Sequence, residues 1–122
     1  MLEVTNLSVA YGELLALQGV SLVIQPGEMI ALVGPNGAGK TTLLKTISGL
    51  LAARNGVIRW QNETISKTSP QRIVEHGIAL VPEGRRLFAA MTVGENLELG
   101  AFTRRAQKEK TAQLEKIFAL FP

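Results

Sequence analysis

An apolar run that leads directly into a glycine-rich segment constrains the fold of this chain more than any other feature. Residues 29–33 read Met-Ile-Ala-Leu-Val, and residues 34–41 read Gly-Pro-Asn-Gly-Ala-Gly-Lys-Thr. Such an apolar run is typical of a strand buried on both faces, as in parallel sheets. Beyond the glycines, apolar residues recur at helical spacing and predict a helix, at Leu43, Leu44, Ile47 and Leu51. Strand, glycine-rich loop and helix in this order indicate an α/β or α+β fold.

The glycine-rich segment, residues 34–41, fits the pattern Gly-x-x-x-x-Gly-Lys-Ser/Thr of a phosphate loop. Glycines adopt backbone conformations closed to other residues, so successive N–H groups can point into one concavity, and the following helix adds its positive dipole end. Lys40 supplies a cation for the β- and γ-phosphates, the Thr41 hydroxyl is a ligand for Mg²⁺, and Thr42 can donate to the α-phosphate. The predicted nucleotide-binding residues are Gly34, Pro35, Asn36, Gly37, Ala38, Gly39, Lys40, Thr41 and Thr42.

The alternative interpretation of this segment is a structural strand-to-helix turn with an incidental lysine. The flanking strand and helix patterns favour the phosphate loop, and so does Gly37, which is one glycine more than the pattern requires. We therefore keep phosphate binding as the prediction for residues 34–41.

Composition excludes several other chemistries. The 122 residues include no cysteine, no aspartate and a single histidine, His76. Disulfides and cysteine nucleophiles are therefore impossible, and a structural zinc site lacks ligands. The net charge of +3 comes without a dense basic stripe, so no nucleic acid is expected. No apolar run approaches the roughly 18 residues of a membrane span, so we expect a soluble cytosolic protein.

Further elements are predicted from local patterns. The other predicted strands are residues 2–11, 20–24, 57–60 and 78–81. Turn signals lie at Gly12-Glu13 and at Arg54-Asn55-Gly56. Ser69-Pro70 predicts a helix start, and Thr92-Val-Gly-Glu95 matches a capping box. The last segment predicts an amphipathic helix with Leu114, Ile117, Phe118 and Phe121 on one face.

Residues 34–44, Gly-Pro-Asn-Gly-Ala-Gly-Lys-Thr-Thr-Leu-Leu, resemble the Walker A region of ABC-transporter ATPase subunits. Residues 20–22 and 26–28 are similar to the lead-in of that family. Residues 81–88, Val-Pro-Glu-Gly-Arg-Arg-Leu-Phe, followed by residues 91–97, Met-Thr-Val-Gly-Glu-Asn-Leu, resemble the ATPases of bacterial branched-chain amino-acid importers. The resemblance covers essentially the whole chain, and it implies ATP and Mg²⁺ as the bound cofactors.

The resemblance also implies roles for Tyr11 and Glu83. Tyr11 stands where the family places an aromatic that stacks on adenine, although a half-buried strand tyrosine is the alternative from the residues alone. Glu83 stands where most members carry a glutamine that helps ligate Mg²⁺, touches the attacking water and senses the membrane partner. A carboxylate still binds Mg²⁺ but lacks the amide donors, and a solvated loop carboxylate is the alternative. The implied catalytic residues are Lys40 and Glu83, and the implied metal ligands are Thr41 and Glu83.

The resemblance further implies a Leu-Ser-Gly-Gly-Gln signature, a Walker B strand ending in Asp-Glu and a switch histidine, none of which occurs in residues 1–122. We therefore expect ATP binding without efficient hydrolysis by this chain, within a parent protein that hydrolyses ATP. We also expect an incomplete domain, roughly a first half, in which residues 29–33 present an unpaired apolar edge. Such an edge predicts a chain that is marginally stable or oligomeric.

The predicted fold is α/β: the N-terminal half of a P-loop NTPase core, with an antiparallel β subdomain and the start of a helical subdomain. Residues 1–33 and 56–65 form the antiparallel part with the strand before the phosphate loop, and residues 34–51 form the loop and its helix. Residues 78–90 form the region of Glu83, called the Q-loop in the family, and residues 91–122 begin the helical subdomain.

The implied parent function is import of branched-chain amino acids, driven by ATP, at the cytoplasmic face of the plasma membrane. The implied partners are membrane permease subunits, a second ATPase subunit and, indirectly, a substrate-binding protein. One alternative is a P-loop ATPase outside transport, of the DNA-repair ABC type or a nucleotide kinase. Another is a piece that binds nucleotide without turnover.

Overall fold

Four strands form one antiparallel sheet in the spatial order β2-β1-β3-β4. They are β1 (Leu2–Tyr11), β2 (Leu14–Ile24), β3 (Asn55–Trp60) and β4 (Glu63–Thr64). The computed structural model describes residues 1–122 and divides them into two compact units, Met1–Leu80 and Val81–Pro122. The predicted strands at 2–11, 20–24 and 57–60 are confirmed, and so is the turn at Gly12-Glu13. With its helices, the chain has the predicted α/β character.

The central strand β1 carries the buried side chains of the sheet. Leu2, Val4, Leu7 and Val9 are all buried, and they share one core with Ile58 of β3. The alternation is interrupted, because the buried positions pass from Val4 to Leu7 instead of residue 6. The pairing of β1 with β2 shifts register at this point, and Asn6 has a φ of 50°. The irregularity has the form of a β-bulge, which returns Leu7 to the core face.

The predicted turn at residues 54–56 is wrong, because Asn55 and Gly56 belong to β3. Gly56 has a φ of 93°, and a Cβ atom there would lie 2.5 Å from the carbonyl oxygen of Asn6. The glycine is therefore needed for the close approach of β3 to the bulge in β1, rather than for a turn.

Two helices belong to the first unit, α1 (Lys40–Ile47) and α2 (Pro70–Glu75). In α1, Thr42, Leu43, Thr46 and Ile47 are buried, which confirms the helix predicted after the glycine-rich loop. The predicted start of α2 is also confirmed, with Pro70 in its first turn and Ser69 at the N-cap, although the Ser69 side chain makes no capping hydrogen bond.

The predictions of strands at residues 29–33 and 78–81 are wrong. Neither segment is a strand, and Met29 and Val33 are 96% and 90% exposed. Apolar composition predicted burial, but a strand also requires hydrogen bonds to a neighbouring strand. The four strands of the structure pair only among themselves, so residues 29–33 lie outside the sheet.

The second unit contains α3 (Val93–Leu99) and α4 (Arg104–Leu120). The predicted capping box is confirmed: the Thr92 hydroxyl accepts from the Glu95 N–H at 3.2 Å, and the Glu95 carboxylate accepts from the Thr92 N–H at 2.8 Å. The predicted final helix is confirmed as α4, in which Leu114 and Ile117 are half-buried, but Phe118 is exposed and Phe121 lies just beyond the last helical residue. None of the four helices combines the length and the apolar character that crossing a bilayer requires.

Candidate functional site

The phosphate loop, residues 34–41, connects to α1 through glycines in left-handed conformation. Gly37 and Gly39 have φ values of 85° and 89°, a region that favours glycine. Within the loop, the Ala38 N–H donates to the Pro35 carbonyl at 3.2 Å and closes a turn. A Cβ atom on Gly37 would meet no atom within 4 Å, so the space beside its backbone is open. The loop therefore combines a fixed turn with an accessible backbone.

The N-terminus of α1 lies at the end of this loop and has no side-chain cap. Gly39 is the N-cap residue, and it offers no side-chain acceptor to the first N–H groups of the helix. Its carbonyl accepts from the Leu43 N–H at 2.9 Å, which starts the helical hydrogen bonding. The preceding N–H groups and the positive end of the helix dipole can therefore bind an anion.

The Lys40 side chain folds back over the start of the phosphate loop. Its ammonium donates to the Gly34 carbonyl and to the Pro35 carbonyl, the latter at 2.9 Å. The only formal charge among residues 34–42 is therefore held by the loop backbone. Since the loop contains no acidic side chain, its donors are N–H groups, one ammonium and two hydroxyls, a set that matches a polyphosphate.

The structure brings Tyr11 to the first turn of α1. Its hydroxyl lies 3.3 Å from the Thr42 hydroxyl, although the two residues are 31 positions apart in the sequence. The Tyr11 side chain is about half exposed, whereas Thr42 is buried and Thr41 is exposed. The two threonines of the candidate site thus differ: Thr41 is exposed, whereas Thr42 is buried with its hydroxyl beside that of Tyr11.

Glu83 lies in the second unit, in an exposed segment without helix or strand. Thr41, the other predicted metal ligand, belongs to the first unit. Nowhere in residues 1–122 do three histidine or acidic side chains come together in a group that could hold a metal ion. The roles of Glu83 and Thr41 toward Mg²⁺ therefore stay predictions, as do the adenine stacking of Tyr11 and the catalytic roles of Lys40 and Glu83.

One organising residue was assigned no role from the sequence. The Asn96 side-chain amide donates to the carbonyls of Phe88, Met91 and Thr92 at 3.1, 3.3 and 2.9 Å, and its oxygen accepts from the Phe88 N–H at 3.0 Å. It holds residues 88–92 against α3 beside a groove of about 260 Å³. The groove is lined by Leu87, Phe88, Ala89, Met91, Val93, Asn96 and Leu97. An asparagine just after a capping box was the available signal.

Comparison with known proteins decides the family. Residues 17–122 match the family model described as ABC transporter. The chain belongs to the ABC transporter family. This membership confirms the resemblance predicted from the phosphate loop and the residues around Glu83.

Relatives within the ABC transporter family carry different import functions in their names. The high-affinity branched-chain amino acid transport ATP-binding protein BraG of Pseudomonas aeruginosa is 41% identical over 122 residues, which are 100% of this chain and 52% of that protein. The ribose import ATP-binding protein RbsA 2 of Escherichia coli O157:H7 is 35% identical over 96% of this chain and 24% of its own length. The sulfate/thiosulfate import ATP-binding protein CysA of Vibrio cholerae is 36% identical over 94% of this chain and 30% of its own length. The chain thus spans about half the length of BraG and less of the other two.

Solved ABC structures share the fold. A nucleotide-free ATP-binding cassette from an ABC transporter superposes with a TM-score of 0.78 at 34% identity, over 85% of this chain and 41% of that chain. A dimeric bacterial ABC transporter cassette gives a TM-score of 0.72 at 29% identity, over 81% of this chain and 46% of that cassette. The described fold is therefore that of part of an ABC cassette.

Proposed function

We propose that this chain is part of the ATP-binding subunit of an ABC importer, which couples ATP binding and hydrolysis to the uptake of branched-chain amino acids. The observation that carries the proposal is the phosphate loop, which places an uncapped helix end, Lys40 and two threonine hydroxyls together. The 41% identity to BraG over all 122 residues supports the amino-acid substrate. The family match argues against a nucleotide kinase.

The donors of the phosphate loop fit the triphosphate of ATP. Gly37 leaves open space beside its backbone, so an anion can approach the N–H groups closely. Lys40 would exchange the carbonyls of Gly34 and Pro35 for phosphate oxygens, a stronger charge-assisted interaction. Thr42 would donate to the α-phosphate, and the half-exposed ring of Tyr11 would stack on the adenine. In this proposal residues 34–42 and Tyr11 hold the nucleotide.

Hard oxygen ligands suit Mg²⁺, and two residues of the chain would hold it. The Thr41 hydroxyl is exposed at the first turn of α1, and the Glu83 carboxylate is exposed in the second unit. Bound Mg²⁺ would neutralise charge on the phosphates. For hydrolysis, Lys40 would stabilise charge on the β- and γ-phosphates, and Glu83 would have the catalytic role that the resemblance to ABC ATPases implies. Because residues 1–122 contain no aspartate, we propose that they bind ATP without efficient turnover.

The proposed partners are membrane permease subunits, a second ABC ATPase subunit and, indirectly, a substrate-binding protein. The match to a dimeric cassette supports the second ATPase subunit, and the transport functions in the names of the relatives support the permease. The proposed location is cytoplasmic, on the inner face of the plasma membrane. The proposed domain organisation keeps residues 34–51 as loop and helix, 78–90 as the Glu83 region and 91–122 as helical. The helices α3 and α4 within residues 91–122 support the helical region, whereas the boundary between the compact units, after Leu80, falls inside residues 78–90.

Equilibrium binding of ATP tests the proposal directly. We expect Lys40→Ala to weaken ATP binding by about tenfold or more, because it removes a charged hydrogen-bond donor. Lys45→Ala is the matched control, since Lys45 is half-buried in the last turn of the same helix, away from the phosphate loop. Absence of ATP binding by the unaltered chain, or equal losses in the two variants, would refute nucleotide binding at this loop.

The transported substrate needs a separate experiment in cells. Uptake of labelled leucine, ribose and sulfate is compared between cells that carry the unaltered protein and cells that carry Lys40→Ala. We expect only leucine uptake to fall. A selective loss of ribose or sulfate uptake would reject the amino-acid substrate while leaving the ATP-binding proposal intact.

A further inference from the structure

The hydrogen bond between Tyr11 and Thr42 has no part in stacking on a base. Stacking on a base involves the face of the Tyr11 ring and does not require its hydroxyl. The hydroxyl nevertheless lies 3.3 Å from Oγ1 of Thr42. The contact joins the last residue of β1 to the first turn of α1. Stacking of the ring on adenine therefore does not account for the hydroxyl of Tyr11.

Thr42 differs in this respect from the next buried threonine of the helix. The Thr46 hydroxyl donates to the Thr42 carbonyl at 2.8 Å, the usual bond of a helical threonine to the preceding turn. The Thr42 hydroxyl instead has Tyr11 as its hydrogen-bond partner. Its orientation is thus set by a residue on the sheet rather than by its own helix.

The chemistry of the two hydroxyls favours one direction for this bond. Each hydroxyl carries one proton and can accept through its oxygen. The phenol oxygen of Tyr11 shares a lone pair with the ring, which makes it the better donor and the poorer acceptor. With Tyr11 donating, the proton of Thr42 is left to point at another acceptor, and consecutive hydrogen bonds strengthen one another. At the first turn of α1, an acceptor that suits this proton is a phosphate oxygen.

We propose that Tyr11 is a positioning residue for phosphate binding: its hydroxyl donates to Thr42 and thereby directs the Thr42 hydroxyl toward the α-phosphate of a nucleotide. This inference rests on the proposed binding of ATP at the phosphate loop. It assigns the Tyr11 hydroxyl a role separate from the ring, so phenylalanine at position 11 is not equivalent to tyrosine. It also links the residue at the adenine end of the site to the phosphate end.

A double-mutant cycle tests the proposal by calorimetric titration of ATP with Mg²⁺. We expect Tyr11→Phe, which keeps the ring, to weaken ATP binding about three- to tenfold, the value of one net hydrogen bond. In a Thr42→Val background the same change should have no effect, because the hydroxyl that it positions is gone. In a Thr42→Ser background, which restores a hydroxyl, the loss should return.

Thr46→Val is the matched control, since it removes a buried hydroxyl of the same helix whose hydrogen bond is to the Thr42 carbonyl and not to Tyr11. In that background Tyr11→Phe should weaken ATP binding as much as in the unaltered chain. Unchanged ATP binding by Tyr11→Phe, or an equal loss with and without the Thr42 hydroxyl, would overturn the positioning role. Either result leaves ATP binding standing, whereas failure of the unaltered chain to bind ATP would overturn both proposals.

Discussion

A Cβ atom on Gly39 would lie 2.5 Å from Cδ2 of Leu17, the buried residue of β2 against which the end of the phosphate loop is packed. The same atom would lie 3.0 Å from the Ala16 carbonyl oxygen. Gly39 also has a φ of 89°, and left-handed backbone costs other residues roughly 1–2 kcal/mol. Sterics and backbone conformation thus both require glycine where the loop becomes a helix.

Gly39→Ala should therefore lower the free energy of unfolding by about 2–4 kcal/mol, because the strain of a left-handed alanine adds to the clash with Leu17. Gly37→Ala is the control, since Gly37 has a similar φ but open space around its Cα. That variant should lose only about 1–2 kcal/mol. Denaturant titrations of both variants measure the difference, and equal losses would show that the contact with Leu17 is unimportant.

The capping box of α3 should make that helix sensitive to acid. The hydrogen bonds from the Thr92 backbone and side chain lower the pKa of the Glu95 carboxyl below its ordinary value of 4.5. A lowered pKa means that the ionised form favours the folded state, so this stabilisation is present above pH 4.5 and is lost as the pH falls through the lower, folded-state pKa.

We expect the Thr92 amide proton to report this change in an NMR titration, since it donates to the Glu95 carboxylate. Glu95→Gln retains an acceptor but no charge that titrates, and it should flatten the Thr92 profile in the same pH range. If the unaltered chain and Glu95→Gln gave identical Thr92 profiles, the capping carboxylate would not be the titrating group.

Asn96 should hold the segment from Phe88 to Thr92 in place. Asn96→Ala removes four hydrogen bonds between one amide and this segment. Each contributes about 0.5–1.5 kcal/mol, so we expect hydrogen exchange at the Phe88 and Met91 amides to accelerate by at least about tenfold.

The control for Asn96 is Glu98→Gln on the same helix, because Glu98 pairs with Lys110 of α4 at 2.7 Å and not with this segment. Exchange at Phe88 and Met91 should be unaffected by that change. Similar acceleration in both variants would mean that the segment depends on the helix as a whole rather than on the Asn96 amide.

The exposed apolar residues 29–33 should promote self-association of the chain. Met29 and Val33 are 96% and 90% exposed, and they belong to no strand. In sedimentation experiments we expect association that grows with concentration and decreases in a Met29→Lys, Val33→Lys double variant. Leu120→Lys, at an exposed position of α4, is the control and should have a smaller effect. A sharp, monomeric and cooperative melt of the unaltered chain in dilute solution would contradict this expectation.

Local signals in the sequence predicted local structure well. The phosphate-loop helix, the Pro70 helix start and the Thr92 capping box are all confirmed, because each depends on residues within one or two turns. The family was predictable for the same reason, since its motif is a continuous stretch of sequence.

Predictions that needed a distant partner were less successful. Apolar composition indicated a strand at residues 29–33, but composition does not specify which neighbour supplies the hydrogen bonds. Asn55-Gly56 predicted a turn because the sequence does not reveal the close approach of β3 to Asn6, which also requires a glycine. The contact of Tyr11 with Thr42 spans 31 positions and requires the fold itself. The hydrogen bonds of the Asn96 side chain were missed because their partners at Phe88 and Met91 lie in a segment that is neither helix nor strand.

The bulge in β1 also decides which way Tyr11 faces. Side chains alternate along a strand, so an unbroken β1 that buries Leu2 and Val4 would continue inward at even-numbered positions and turn Tyr11 outward. The extra residue near Asn6 moves the buried set to odd-numbered positions, Leu7 and Val9, and Tyr11 shares their parity although it is about half exposed. Deletion of one residue at the bulge near Asn6 would place Tyr11 on the opposite face of the sheet, although Tyr11 itself would be unchanged. The bulge near Asn6, five residues before Tyr11, thus helps to determine whether Tyr11 lies at the proposed nucleotide site.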